Sequence, residues 1–169
     1  MFDLINGLPV HPLVVHAVVV LLPLAVLGTI AIALVPRWRT RYGHLVVACA
    51  AVATVLVPVA TSSGEALEKR VGDPGEHAEL GDQLIWFALP LLVLVLALVV
   101  LARRAEKSSP TGGSTEEPSP TPAGGRGLVT ALAVLAALAA VATGVQVYRV
   151  GDSGARAVWG DQVSSAPAR

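Results

Sequence analysis

The chain is short of charge, of aromatics and of cysteine. Of its 169 residues, 14% are Asp, Glu, Lys or Arg and 4% are Phe, Trp or Tyr, and Cys49 is its single cysteine. A soluble domain carries about 25% charged residues, so water is a poor solvent for most of this sequence. One cysteine allows no intramolecular disulfide and no cysteine-based metal motif. So few aromatics argue against a stacking surface for nucleic acid. No HExxH, CxxCH or Cys/His zinc spacing occurs. With no catalytic motif in view, the chain reads as not an enzyme on its own. Gly151-Asp152-Ser153-Gly154 matches a protease serine motif, but that motif works within a β-barrel that nothing in this sequence predicts.

What the chain has is apolar length. Its composition is 54% hydrophobic, with mean hydropathy +0.68. The apolar residues fall in long runs, which points to lipid as the solvent. A bilayer core of about 30 Å needs about 20 helical residues. Four spans of that order are predicted, about 12–35, 44–61, 74–101 and 127–150. His11-Pro12 marks the start of the first, and Pro36 and Arg37 its end. No basic residue precedes it and Arg37-Trp38-Arg39 follows it, so it reads as a retained helix and not a signal peptide. In the third, Asp73 is a fitting N-cap and Pro74 a fitting first residue. Residues 108–125, full of Pro, Gly, Ser, Thr and Glu, read as a disordered cytoplasmic linker. Residues 151–169 read as a polar outer tail, with Gly151 and Gly154 making a tight helix exit. The expected fold is one all-α domain, a four-helix transmembrane bundle in the plasma membrane.

Zero formal net charge conceals an asymmetry between the two ends of this bundle. Arg37, Arg39 and Arg41 lie between the first two spans, and Arg103, Arg104, Lys107 and Arg126 between the last two. The opposite end holds nine of the twelve acids: Asp3, Glu65, Glu68, Asp73, Glu76, Glu79, Asp82, Asp152 and Asp161. By the positive-inside rule both termini face outward. Trp38 and Tyr42 then fall at the inner interface, and Trp86, Tyr148 and Trp159 at the outer one.

Small residues let helices approach closely in lipid, and the fourth span supplies Ala133, Ala136, Ala137, Ala140 and Gly144. Thr143 and Gln146 are polar within it and should face the interior. His16 stands among apolar neighbours one turn inside the first span, and an ionisable residue there suggests a functional site. The bland reading is a neutral ring bonded to a helix carbonyl. His77 is followed by Gly81 one turn on, leaving a bare patch that suits a flat ligand or a close helix contact. His11 abuts the helix start and reads as a cap, a ligand or a surface residue; His44 falls at the other end. His16, His77, Glu65 and Asp152 come from four segments that end on one side, so they can converge. Imidazoles on facing helices hold haem or a metal in known bundles. Carboxylates beside them suit zinc or copper.

These residues carry a family resemblance. The opening from Leu8 through His11 to His16, with Leu21-Leu22-Pro23-Leu24 after it, resembles the bacterial membrane proteins called domain of unknown function 2231. The blocks Ser63-Gly64-Glu65-Ala66-Leu67-Glu68, His77-Ala78-Glu79-Leu80-Gly81 and residues 151–159 resemble its actinobacterial branch. The resemblance covers nearly all of the chain except the linker. It implies a four-helix membrane domain, in some members attached to Rieske-type iron–sulfur modules, and carries no activity. The chain is also similar to the broad group of haem-bearing four-helix membrane cytochromes. Related chains often have His at the position of Asp152, so the resemblance supplies no further imidazole there.

The leading functional expectation is a b-type haem protein of the outer face engaged in electron transfer. His16 and His77 would be its axial ligands, Gly81 would make room, and Thr143 and Gln146 would support the site. The alternatives are a cofactor-free accessory or scaffold subunit of a membrane complex, and a zinc or copper site drawn from His11, His16, His77, Glu65 and Asp152. Partners would be the bilayer and a membrane redox protein or a second copy.

Overall fold

The structure is a computed structural model that describes residues 4–5, 8–72, 75–107 and 123–164. A two-residue β-hairpin pairs β1 (Leu4–Ile5) with β2 (Leu8–Pro9). Nearly all the other described residues are helical: α1 (Val10–Leu34), α2 (Pro36–Val71), α3 (Glu76–Gln83), α4 (Ile85–Lys107) and α5 (Ala123–Ser164). Four helical stretches are long and apolar enough to cross a membrane, with α3 and α4 together making the third.

The helices form a ring. α1 packs on α2 and α5, and α4 packs on the same two, so α1 and α4 stand diagonally across the bundle. Where they meet, side chains are small: Ala25, Ala50, Ala53, Ala88, Ala136 and Ala140 are fully buried. The expected Ala/Gly stripe of the fourth span is therefore the packing face. Two contacts are closer still. A Cβ on Gly28 would lie 2.8 Å from Val46, and one on Gly43 would lie 2.6 Å from Val99. Leu22, Val57 and Leu91 fill the core towards one end, and Ile32, Val95 and Leu98 fill it towards the other. The outer surface is apolar too: Leu27, Leu34 and Val20 are well exposed, as suits a solvent of acyl chains.

α4 runs on to Lys107 and α5 starts at Ala123, so residues 123–125 of the expected linker are helical. Three further boundaries differ from the sequence-based ones, each for a physical reason. First, α2 begins at Pro36 and not near His44, so Arg37, Arg39 and Arg41 sit on helix. Val35 alone links α1 to α2 in extended backbone, the geometry a following proline imposes. Arg39 is buried and donates from Nε to Ile32 O and from a terminal nitrogen to Ala33 O, each at 2.8 Å. It thereby satisfies carbonyls that α1 leaves open at its C-terminus. Second, α2 runs past Thr61 to Val71 and stops at Gly72, whose φ of 100° suits glycine. Third, α5 does not exit at Gly151 but continues to Ser164, its Asp152 paired with Arg156 one turn on at 2.8 Å. Hydropathy falls at the edge of the apolar core, whereas backbone hydrogen bonding continues beyond it. The Asp73 cap, residues 108–122 of the expected linker and residues 165–169 of the tail lie outside the described residues.

Candidate functional site

The starts of α1 and α3 and the ends of α2 and α5 meet at one end of the bundle, around a cavity of about 460 Å³. Ligand pockets range over about 300–1,000 Å³. Its deeper wall is apolar, from buried Val18, Val57 and Leu84 together with Val15 and Val147. Its rim carries Glu65, Glu68 and Asp82, and no Lys or Arg among the described residues lines it. Glycines open the walls. Gly81 and Gly151 line the cavity, and a Cβ on either would meet nothing within 4 Å.

Two imidazoles line this cavity, and they are His11 and His77. The His11 ring lies against Gly64 of α2, where an added Cβ would come within 3.1 Å of Cε1. Its Nδ1 is 2.9 Å from Ala60 O and 3.3 Å from Ser63 Oγ. The His77 ring lies against Gly154 of α5, where an added Cβ would come within 2.9 Å of Cε1. Its Nδ1 is 3.1 Å from Val150 O and 3.4 Å from Ser153 Oγ. A carbonyl oxygen only accepts, so Nδ1 donates in both rings. That leaves Nε2 of each neutral ring with its lone pair. Neither Nε2 has a hydrogen-bond partner among the described residues.

The expected pairing of His16 with His77 does not form. His16 is exposed, is not part of the cavity wall, and turns its Nδ1 back to Pro12 O of its own helix at 2.5 Å. That matches the bland reading of this residue. Glu65 reaches the rim, but Asp152 does not line the cavity and is held by Arg156. Among the described residues no group of three or more His, Cys, Asp and Glu could hold a metal ion, so the five residues named as metal ligands are not gathered. Thr143 and Gln146 are buried as expected, but they serve helix packing. The Thr143 hydroxyl lies 2.8 Å from Ala139 O and 3.2 Å from Phe87 O. Gln146 Nε2 donates to Leu80 O at 3.0 Å, bracing α3.

The residues that sequence reasoning missed are Ser63, Gly64, Ser153 and Gly154 as seats for the rings. Their signal was present as Ser-Gly in the same order near the ends of both α2 and α5. No curated protein and no solved structure matches the chain. A family model described as "Predicted membrane protein (DUF2231)" matches residues 7–167. With four helices long and apolar enough to cross a membrane and that match over almost its whole length, the chain belongs to the DUF2231 family of predicted membrane proteins.

Proposed function

We propose that the cavity binds haem b, that His11 and His77 would hold its iron, and that the protein moves electrons at the membrane surface. One observation carries this reading: two imidazoles from opposite helix hairpins line one cavity, each with Nδ1 on a helix carbonyl and Nε2 unpartnered among the described residues. That is the arrangement by which a protein fixes the tautomer and orientation of a metal-ligating histidine. The bare patches at Gly81 and Gly151 and the apolar wall fit a flat, largely apolar group. Bound haem would supply a one-electron centre. The chain's own part is to hold the two rings, keep water from the deep wall and set the charge at the rim. The basic residues of the other end support an outward-facing cavity by the positive-inside rule. A membrane redox partner would then meet it there.

A second reading rests on the rim. Glu65, Glu68 and Asp82 are its charged groups, and haem propionates would have to lie near them against like charge. A membrane hydroquinone brings hydroxyl donors instead, which suit the lone pairs of two Nε2 atoms and a carboxylate rim.

A reduced-minus-oxidised absorption spectrum of detergent-purified protein from haem-replete cells separates the two. Sharp Soret and α bands are expected, lost in His11→Ala and in His77→Ala and kept in His16→Ala. Bands that survive both of the first two substitutions, or a flat spectrum with haem supply verified, would overturn the haem reading. Co-purifying quinone in a solvent extract of a band-free protein would establish the second.

A further inference from the structure

The two imidazole seats are copies of one another. In each hairpin the first helix supplies the histidine, and the second supplies a carbonyl, a serine three residues on and a glycine four residues on. Those are Ala60, Ser63 and Gly64 for His11, and Val150, Ser153 and Gly154 for His77. Ser63 Oγ donates to Ala60 O at 3.0 Å, and Ser153 Oγ donates to Val150 O at 3.0 Å. Both hydroxyl protons are thus committed to the carbonyl, so each Oγ is free to accept from its histidine. The correspondence extends down the helices. Leu22-Pro23-Leu24 in α1 matches Leu89-Pro90-Leu91 in α4. Pro23 follows its histidine by 12 residues and Pro90 by 13. The ring of contacts has the same symmetry, since exchanging α1 with α4 and α2 with α5 leaves it unchanged.

We infer that the site consists of two equivalent half-sites, one per helix hairpin, in which Ser63 and Ser153 are matched positioning residues that hold His11 and His77 in the Nδ1–H form. The consequence is a restriction on the occupant. Two lone pairs accept; they do not donate. The site therefore takes an electron-pair acceptor such as a metal centre, or a hydrogen-bond donor such as a hydroxyl. It rejects a group that offers only carbonyl or carboxylate oxygens. This holds independently of the haem reading.

Ring nitrogen chemical shifts test the inference without any ligand. The full chain, labelled with ¹⁵N-histidine and purified in detergent without added haem, is recorded at a pH where the rings are neutral. His11→Gln and His77→Gln assign the two signals. Free histidine favours the Nε2–H form; His11 and His77 are expected in the opposite form. Losing one neutral hydrogen bond changes such a ratio by about fivefold. Ser63→Ala should therefore raise the Nε2–H share of His11 alone by that factor, and Ser153→Ala that of His77 alone. Ser63→Thr and Ser153→Thr, which keep the hydroxyl, should restore the pattern. A dominant Nε2–H form at either ring, or serine variants that shift neither ring or both together, would overturn it. The Nδ1–H pattern beside a flat absorption spectrum would remove haem and leave the paired half-sites standing.

Discussion

Five residues along a helix turn a side chain by about 140°, so His11 and His16 cannot both face the bundle interior. The interior face of α1 is marked by Val15, Val18 and Leu22, which follow His11 by four, seven and eleven residues. α1 is apolar on all sides, so its sequence marks no one face, and it is packing that selects His11. The apolar neighbours of His16 do not distinguish the two, because in a membrane such residues mark the lipid face as readily as the core. Gly81 lines the same cavity as His77, which lies one turn before it on α3. Thr143 and Gln146 were placed correctly inside the bundle, but their partners could not be read, because carbonyls of α3 and α4 answer them. Thr29 makes a separate point. It is fully buried, and its hydroxyl has no hydrogen-bond partner among the described residues. Leaving such a group unpaired costs about 1–3 kcal/mol. Thr29→Val, with nearly the same shape, is expected to stabilise the protein by about 1 kcal/mol. A rise in the detergent unfolding midpoint would show this, and a fall would mean the hydroxyl is satisfied.

At the scale of elements, the helices are longer than their hydropathy suggests. Residues 62–71 of α2 and 151–164 of α5 lie where hydropathy predicts loop and tail, yet both are helical. The first contains Glu65, Ala66, Leu67 and Lys69, all good helix formers. In the second, the two glycines carry no helix exit because packing and the Asp152–Arg156 pair continue the turn. These extensions matter because they carry both ring seats. The closest helix contacts sit lower down. Gly43 of α2 faces Val99 of α4 so tightly that a Cβ would lie 2.6 Å from it. Gly43→Ala should force the helices apart and cost about 1–3 kcal/mol. Gly127→Ala, with open space around it, should cost nothing by crowding. Equal unfolding midpoints for the two variants would contradict the packing.

At the scale of the whole molecule, one end is basic and the other acidic. Trp86 and Arg103, on the third span, lie 17 residues apart, or about 26 Å of helix, close to the thickness of a hydrocarbon core. The exposed rings of Trp86, Tyr148 and Trp159 belong to the cavity end, and those of Trp38 and Tyr42 to the arginine end. With the cavity end outward, a cysteine placed by Asp152→Cys in a Cys49→Ala background should react with a membrane-impermeant maleimide on intact cells. One placed by Arg41→Cys should react only after lysis. The reverse pattern would invert the proposed orientation. The sequence by itself determined the number of spans, their up-and-down order, the small-residue packing face and which chain segments share an end. Those follow from hydropathy, length and charge, which are properties of a segment taken alone. Only the tertiary structure decided that His11 and not His16 joins His77, that Asp152 turns to Arg156, and that each ring rests on a Ser-Gly seat of the neighbouring helix. Those depend on the rotation of each helix about its own axis, which only packing against neighbours sets.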